Sequence, residues 1–469
     1  MNVGIVGGGI SGLSSALILT RNGISVTLFE ATDRLGGRIY THHFPPCADG
    51  EDPYFEAGAM RIPCTTIHRP TFDLIKYVNR LVPAHTRMRL IKYVMKHENN
   101  MDYVEGQQTR AHSVSLKREC GVPEEYLGQS AQELLKPVLG PWITQLTNDF
   151  EGGFQSALQF DELSFRQYLR HVIRWPHEVI DFVEMRTSQT NQYDLSFMEV
   201  LLQYLDFGTK EWVTINGGMS RLVDAMALLV GGHNIHLNHP VTGFHSHSNG
   251  KISLFFNGAE PQVFDKVIMA VPLPALQNIR SRPRWNPAKE QAIRSIYYEP
   301  LYKMGLHFRT RFWERSRRPC FGGQSNTDLR IRWIIYPSHG LGAQGSGVLL
   351  IYCWMTDAAR WAAMSFQERV GLALHDLGVF FAAEDETLNV SDEFIEAFDM
   401  LWSSHSSTGG CMYLPGQFTR FAEEVGRPEG NVYFAGEHLS RHHAWMTGAI
   451  LSASAAVQQM LLNRRTARL

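Results

Sequence analysis

The chain has 469 residues, of which 44% are hydrophobic and 19% are charged, and its formal net charge at pH 7 is -2. This length exceeds what one compact core holds, so we expect two or three domains. The apolar content excludes a disordered chain, and the balanced charge argues against a nucleic-acid partner, which would need a basic face. We find no stretch long and apolar enough to predict a membrane span.

The first motif is a β-α-β unit in residues 2–30. A short strand over residues 3–6 leads into Gly7, Gly9 and Gly12, which have G-x-G-x-x-G spacing, and an apolar helical stretch follows. A second strand over residues 25–29 ends at Glu30. The glycines permit a tight turn, a close approach of backbone to a pyrophosphate and tight packing of helix on strand, while the acidic residue can accept hydrogen bonds from a ribose. The unit predicts a dinucleotide site, and a ligand-free glycine turn is the alternative.

The next run, "ATDRLGGRIYT", identifies the dinucleotide. Its R-x-G-G-R pattern, formed by Arg34, Gly36, Gly37 and Arg38, resembles the second fingerprint of flavin-dependent amine oxidases and their relatives. In that family the glycine pair and the second arginine contact the FAD pyrophosphate. The resemblance therefore implies FAD rather than NAD.

Residues 55–63, "FEAGAMRIP", place Arg61 among apolar neighbours. A guanidinium in such company either reaches solvent from a loop or pairs with an anion. The run resembles the G-x-M-R-[IF]-P segment of L-amino-acid oxidases and of tryptophan and phenylalanine monooxygenases, whereas members acting on simple amines or polyamines generally lack this arginine. The resemblance implies that Arg61 binds a substrate carboxylate, which a guanidinium can hold by two parallel hydrogen bonds.

The middle of the chain predicts the domain organisation. Residues 118–207 have a helical pattern, whereas 212–226, the strand beginning near Val241, and 263–276 resemble segments of the family's FAD domain. We therefore expect an α/β (α+β multidomain) protein: a Rossmann-like FAD-binding domain (1–50, 208–298, 410–469), a mixed-sheet substrate-binding domain (51–117, 299–409) and a helical insertion (118–207).

Two further segments resemble parts of the family's active site. In "GVLLIYCWMTDAARW", Tyr352 matches a tyrosine that binds the same carboxylate, and Trp354 should lie on the same strand face. Lys303 matches a lysine held near flavin N5 through a water, where it assists reoxidation by oxygen. An ordinary aromatic strand residue and a lysine on an exposed edge strand are the respective alternatives.

The C-terminal segment "NVYFAGEHLSRHHAWMTGAILSASAAVQQMLL" completes the dinucleotide site. It predicts a strand over 431–435, a turn at Gly436-Glu437 and a helix of small residues from Gly448 onward, and it resembles the family's C-terminal signature. The resemblance implies that Trp445 walls the substrate side chain and that the Ala444 carbonyl accepts from the substrate amino group. The expected FAD-binding residues are Gly7, Gly9, Ile10, Ser11, Gly12, Glu30, Ala31, Arg34, Gly36, Gly37, Arg38, Gly58, Ala59, Met60, Arg61, Val241, Gly436, Glu437, Trp445, Met446, Thr447, Gly448 and Ala449.

Some polar residues near this segment receive no catalytic assignment. His442 and His443 are expected to be structural or solvent-facing. Cys411 lies near the position where covalent-FAD amine oxidases attach the flavin, but we expect it to be unmodified and FAD to be bound non-covalently. No grouping has metal-ligand spacing, so no metal site is predicted.

The compartment is predicted to be intracellular. The six cysteines form no C-x-x-C pair or disulfide framework, which favours a reducing compartment, and the chain begins without the extension of secreted relatives. The final residues Ala467-Arg468-Leu469 resemble a variant of the Ser-Lys-Leu peroxisomal address. A cytoplasmic or peroxisomal location is therefore expected, with a frayed basic helix end as the alternative interpretation of the tripeptide.

The sequence thus predicts an FAD-dependent L-amino-acid oxidase with Arg61, Lys303, Tyr352 and Trp445 as catalytic residues. Such an enzyme passes a hydride from the substrate Cα to flavin N5, and the products are a 2-oxo acid, ammonia and hydrogen peroxide. The expected partners are an L-amino acid and oxygen, and a homodimer is left open. The alternatives are an amino-acid 2-monooxygenase, an amine or polyamine oxidase, and a non-catalytic flavin-fold binding protein.

Overall fold

The computed structural model describes residues 1–46, 52–111, 115–116, 122–187, 189–404 and 408–466. Two of the cysteines used above, Cys47 and Cys120, lie outside the described residues, as does the C-terminal tripeptide. The four cysteines that are described are unpaired: Cys64, Cys320, Cys353 and Cys411. No described helix is both long enough and apolar enough to span a bilayer.

The strands within the described residues are Asn2–Val6 (β1), Ser25–Phe29 (β2), Thr41–His43 (β3), Tyr54–Glu56 (β4), Ile62–Pro63 (β5), Leu90–Lys92 (β6), Met101–Val104 (β7), Gln107–Arg110 (β8), Trp212–Ile215 (β9), Ile235–His236 (β10), Val241–Ser246 (β11), Ile252–Phe256 (β12), Ala259–Phe264 (β13), Lys266–Met269 (β14), Leu301–Phe308 (β15), Gln324–Thr327 (β16), Trp333–Ile335 (β17), Gly347–Trp354 (β18), Phe394–Leu401 (β19) and Val432–Phe434 (β20).

The α-helices in the same ranges are Ile10–Arg21 (α1), Arg69–Leu81 (α2), Ala131–Asn148 (α3), Phe150–Ala157 (α4), Phe165–His171 (α5), His177–Arg186 (α6), Phe197–Asp206 (α7), Ser220–Val230 (α8), Leu273–Gln277 (α9), Pro287–Ser295 (α10), Phe312–Arg315 (α11), Met355–Ala359 (α12), Phe366–Ala382 (α13), Val390–Glu393 (α14), Gln417–Gly426 (α15) and Met446–Thr466 (α16).

A parallel five-stranded sheet carries the N-terminal motif, with the strand order β10-β2-β1-β14-β20. Side chains alternate between its faces, as the period of two in a strand requires. Val3 and Ile5 belong to the core beneath α1, α8 and α16, whereas Val6 and Phe29 belong to the core on the opposite side. Both faces of the sheet are therefore covered, as expected of a parallel sheet.

A seven-stranded mixed sheet forms the second large layer, in the order β19-β15-β18-β17-β16-β7-β8. Its neighbouring strands are antiparallel except for the parallel pair β16 and β7. In this register Lys303 stands opposite Tyr352 on β18 and opposite Met400 on β19. The strand that carries Lys303 is thus internal, and the alternative of an exposed edge lysine is wrong.

Helices α3 to α7 occupy the region for which a helical insertion is predicted. Local signals fix two of their starts, because Ser130 with Glu133 and Ser164 with Gln167 form capping boxes at α3 and α5. Helix α5 ends at His171, earlier than the pattern "SFRQYLRHVIRW" suggests. Trp175 precedes a proline, which disfavours helical backbone there.

The predicted elements agree closely with the observed ones at the dinucleotide end of the chain. The strand predicted over 25–29 has those bounds, and that over 431–435 is shorter by one residue at each end. Helix α16 begins at Met446, two residues before the predicted start at Gly448. The mixed α/β class is confirmed, and the limits of the three domains stay a proposal.

The packing of α1 against β1 yields a stability prediction. A Cβ at Gly12 would lie 2.0 Å from the Gly7 carbonyl oxygen, so Gly12→Ala must displace helix or strand. We expect a loss of about 1–3 kcal/mol in the free energy of unfolding, as for overpacked cores. Denaturant unfolding measures it.

The matched control for this substitution is Gly378→Ala in α13, where a Cβ would meet nothing within 4 Å. Removing a glycine from a helix interior should stabilise the protein by about 0.5–1 kcal/mol. Equal effects of the two substitutions would contradict the packing argument.

Candidate active site

The dinucleotide cradle is formed by two glycine loops that lie against each other. The Gly36 N–H donates to the Gly8 carbonyl oxygen at 2.9 Å, and Gly9 and Gly36 form an isolated parallel bridge. Gly7 has a φ of 107°, a conformation that L side chains rarely adopt. A Cβ at Gly9 would meet nothing within 4 Å, so the backbone at this residue faces open space. That space lies at the N-terminus of α1, where unpaired N–H groups favour an anion.

Glu30 connects the second strand to this cradle. Its Oε2 accepts a hydrogen bond from the Gly8 N–H at 2.7 Å, and its Oε1 accepts from the Thr32 N–H at 3.0 Å. The carboxylate therefore fixes the first glycine loop as well as being available to a ribose. Among the other residues expected here, Ile10 and Ser11 lie in the buried first turn of α1, Ala31 is exposed, and Val241 is half-buried at the start of β11.

The two arginines of the R-x-G-G-R run have different environments. Arg34 donates to the carbonyl oxygens of Leu35 and Gly37, so its guanidinium shapes the loop itself. Arg38 crosses to the C-terminal segment, where its Nη1 lies 2.6 Å from Glu437 Oε1 and donates to the Gly409 carbonyl at 3.0 Å. A contact between Arg34 and FAD stays a prediction.

Glu437 organises the C-terminal half of the cradle. Burial opposes its ionisation, but the charge of Arg38 and a hydrogen bond from the Ala444 N–H hold the pKa of this carboxyl below its usual value. Ala444 has a φ of 61°, and Met446, Thr447, Gly448 and Ala449 form the first turn of α16 directly after it. The open space at Gly9 and the α1 N-terminus fit the pyrophosphate of FAD, and a contact between Glu30 and the ribose stays a prediction.

Arg61 is buried, with 6% of its surface exposed, so the alternative of a solvent-facing loop arginine is wrong. Three aromatic rings surround its guanidinium: Phe207 at 5.2 Å, Trp212 at 5.6 Å and Tyr93 at 5.7 Å, measured from the guanidinium carbon to each centroid. Its Nη1 has no hydrogen-bond partner, and no carboxylate of the described residues forms an ion pair with it. A buried guanidinium without an anionic partner is costly, so this site is suited to an incoming anion.

Trp445 extends the aromatic cage of Arg61. Its ring centroid lies 5.5 Å from that of Phe207, 6.1 Å from that of Trp212 and 4.8 Å from that of His68. The side chain is half-buried, while Ala444 beside it is exposed. Trp445, predicted to bind the substrate, therefore lies against two of the rings that surround the arginine, and Ala444 precedes it in the chain.

Lys303 is buried beneath the backbone of the arginine segment. Its Nζ donates to the carbonyl oxygens of Gly58 at 2.5 Å and Glu56 at 3.2 Å. Burial lowers the pKa of Lys303 to about 7, and the charge of Arg61 acts in the same direction, against that of Glu56. Burial also raises the pKa of Glu56 to about 7. Gly58, Ala59 and Met60, which are predicted to contact FAD, lie between Glu56 and Arg61 in the chain.

Tyr352 lies close to Lys303 and is influenced by the charge of Arg61. The lysine nitrogen lies 4.6 Å from its ring centroid, and the charge of Arg61 acts on its hydroxyl. Trp354 lies on the same face, with ring centroids 4.8 Å apart, as the strand period predicts. The structure thus brings Arg61, Lys303 and Tyr352 into one electrostatic neighbourhood.

The residues that received no catalytic assignment have structural partners. His443 Nδ1 lies 2.7 Å from Glu199 Oε2, and His442 Nδ1 lies 3.3 Å from Asp206 Oδ1. Cys411 is fully buried, and burial raises the pKa of its thiol well above the ordinary value. Non-covalent binding of FAD stays a prediction.

Sequence reasoning missed Tyr93, Phe207 and Trp212 as parts of the site. These aromatic residues come from three separate segments, and no local motif connects them. The one available signal was an arginine in apolar surroundings, which requires a cage of some kind but does not say which residues build it.

The chain resembles characterised proteins along its whole length. It is 32% identical over 98% of its length to a Dictyostelium discoideum protein whose name marks it as an inferred bifunctional amine oxidase. The chain spans about half (46%) of that relative. It is 27% identical to an L-amino-acid oxidase of Hebeloma cylindrosporum, over 98% of this chain and 81% of the relative.

A solved structure with the same fold is a putrescine oxidase redesigned in its cofactor binding. The TM-score is 0.77 with 18% sequence identity, and the match covers 98% of this chain and 99% of that one. At this identity the likeness shows the fold alone.

The model of the family described as flavin containing amine oxidoreductase matches residues 10–461. That span begins at the first residue of α1 and includes the second glycine loop, the arginine segment and most of α16. The chain therefore belongs to the flavin-containing amine oxidoreductase family, and its cofactor is FAD.

Proposed function

We propose that this protein is an L-amino-acid oxidase, which converts an L-amino acid and oxygen into a 2-oxo acid, ammonia and hydrogen peroxide. The observation that carries the proposal is the guanidinium of Arg61, which is buried in an aromatic cage with a free Nη1 and without an anionic partner among the described residues. A plain amine has no anion to offer this group, whereas an amino acid carries a carboxylate. Bidentate, charge-assisted hydrogen bonds fit that pairing.

The proposed roles follow from the positions around the arginine. Arg61 and the Tyr352 hydroxyl hold the substrate carboxylate, and the cage of Arg61 excludes water from that ion pair. Trp354 and Trp445 provide aromatic surface for an apolar portion of the substrate. The exposed Ala444 presents its carbonyl to the amino group. Fixing the carboxylate and the amino group together orients the Cα–H bond, and such positioning can lower a barrier by several kcal/mol.

Bound FAD supplies the acceptor for the hydride of the substrate. The chain contributes Lys303, which two backbone carbonyls hold beneath Gly58. With a pKa of about 7, this amine can be neutral or charged near neutral pH, and its proton can therefore move in response to its surroundings. We propose that Lys303 serves the reaction with oxygen.

The relatives support the amino-acid assignment to different degrees. The Hebeloma cylindrosporum relative is named an L-amino-acid oxidase and resembles this chain over nearly its whole length. The putrescine oxidase resembles it in fold alone. The proposed substrate class therefore depends on Arg61.

Replacement of the arginine tests the substrate class directly. Arg61→Met should lower kcat/KM for L-phenylalanine by about 100-fold or more, because a buried charge pair is lost. The activity toward phenethylamine, the same molecule without its carboxylate, should not fall. Initial rates of peroxide formation with both compounds measure the ratio.

The control variant is Arg69→Met, since the Arg69 side chain is 77% exposed and lies outside the site. It should leave both rates unchanged. An unmodified enzyme that prefers phenethylamine, or an Arg61→Met variant that keeps full activity on L-phenylalanine, would contradict the proposal in favour of an amine oxidase. Formation of the amide instead of the 2-oxo acid would indicate a monooxygenase.

A second prediction concerns the pH dependence of stability. The pKa of Lys303 is about 7 in the folded protein, against 10.5 for the ordinary group, so the folded chain binds fewer protons between these values. The contribution of Lys303 to stability therefore rises with pH in that window. From pH 7 to pH 9, wild type should gain about 2–3 kcal/mol of unfolding free energy relative to Lys303→Met.

Glu56 contributes little to this comparison. Its pKa is raised from 4.5 to about 7, so the range in which it makes stability depend on pH lies mainly below pH 7. The exposed Lys76→Met in α2 serves as the control and should show no pH-dependent difference from wild type. Urea unfolding at the two pH values measures the effect. Parallel stability curves for wild type and Lys303→Met would contradict it.

A further inference from the structure

Glu299 lies at the edge of the proposed substrate pocket, just before β15. Its backbone N–H donates to the Gly410 carbonyl at 2.9 Å. A Cβ built at Gly410 would lie 3.2 Å from Glu299 Oε1 and 2.8 Å from the Ala444 Cβ. The Glu299 carboxyl group and the Ala444 side chain therefore both lie next to Gly410. The charge of Glu299 also acts on the Tyr352 hydroxyl.

This carboxyl has no partner of its own. Glu299 is 4% exposed, and among the described residues its side chain forms no hydrogen bond and no ion pair. The two carboxylates whose charges act on it are both paired: Glu199 with His443 at 2.7 Å, and Glu437 with Arg38 at 2.6 Å. Of these three buried carboxyl groups, Glu299 is therefore the one with no cationic partner among the described residues, and it lies near Tyr352 and Ala444, which are assigned to the substrate.

We propose that Glu299 binds a positively charged nitrogen of the amino-acid substrate, an inference that rests on the proposed function. Arg61 and Glu299 then form the two poles of the pocket, one for the carboxylate and one for a cation. Two nitrogens have this chemistry: the α-ammonium group that every amino acid carries, and the side-chain cation of a basic amino acid.

The electrostatic surroundings support this assignment. Burial and the charges of Glu199 and Glu437 raise the pKa of Glu299 to about 8. The other titratable groups near this cluster are Tyr297, Tyr298, Tyr352, Cys411, Tyr413, His438, His443 and Arg38. A bound cation favours the ionised carboxylate, so binding should release a proton and become tighter as pH rises toward 8.

The experiment compares L-lysine with L-norleucine, which has the same carbon chain without the ε-ammonium group. Steady-state kcat/KM is measured at pH 7 and pH 8.5 for wild type, Glu299→Gln, Glu299→Asp and the exposed control Glu260→Gln. If Glu299 binds the side-chain cation, Glu299→Gln should lose at least about tenfold with L-lysine and less than about twofold with L-norleucine. If it binds the α-ammonium group, both substrates should lose at least about tenfold.

Either pattern supports the proposal, and the two patterns distinguish the sources. Wild-type rates should rise from pH 7 to pH 8.5 for each affected substrate, and this rise should be absent in Glu299→Gln. Less than about a twofold change with both substrates would overturn the proposal. Glu299→Asp keeps the charge on a shorter side chain and should lose less than Glu299→Gln.

Stability and flavin content separate binding from folding. Glu299→Gln removes a charge from a repulsive cluster, so its Tm at pH 8.5 should equal or exceed that of wild type. If Glu299→Gln does not retain FAD, the Glu299→Asp variant is used instead. A partial loss of kcat/KM in Glu299→Asp supports the proposal, and an unchanged kcat/KM overturns it. Failure of the proposed function is a different result, because wild type would then oxidise no L-amino acid at all.

Discussion

The ion pair between Arg38 and Glu437 connects the parts of the chain on which the cofactor site depends. Its partners lie 399 residues apart in sequence. Through further hydrogen bonds the pair also holds the Gly409 carbonyl and the Ala444 N–H. Glu437 is buried while Arg38 is 28% exposed, so loss of the arginine would leave the carboxylate charge uncompensated. The glycine loops, the 409–411 segment and the start of α16 therefore have one common anchor.

Arg61 presents the opposite situation, a buried charge without an ionic partner. The faces of Phe207, Trp212 and Tyr93 offset part of its desolvation, since a cation over an aromatic ring gains about 0.5–2 kcal/mol. These contacts leave the Arg61 Nη1 without a hydrogen-bond partner. Under the proposed function, a bound carboxylate would offset the remaining cost, and this gain would favour an acid over a plain amine.

The cofactor half of the site could be predicted because its determinants are local. The spacing of Gly7, Gly9 and Gly12 and the acidic end of β2 set backbone geometry within thirty residues. Arg61 was likewise visible as an exception to its surroundings. The other residues proposed for the pocket were not visible, because the packing of distant segments brings Tyr93 and Phe207 to Arg61 and Glu299 to Gly410. A buried carboxyl group gains its unusual protonation from neighbours that no local pattern reveals.

The charged groups of the proposed pocket fit one kind of ligand. Arg61 presents a fixed positive charge, Lys303 is half-neutralised by burial near neutral pH, and Glu299 is an acid whose ionisation a cation would promote. A zwitterion satisfies the first and the last at the same time, and it adds no net charge to a water-poor site. A simple amine would satisfy Glu299 and leave Arg61 unpaired, whereas a simple acid would do the reverse. Under the proposed function, the pocket would be complementary to a molecule that carries both charges a short distance apart, as an amino acid does.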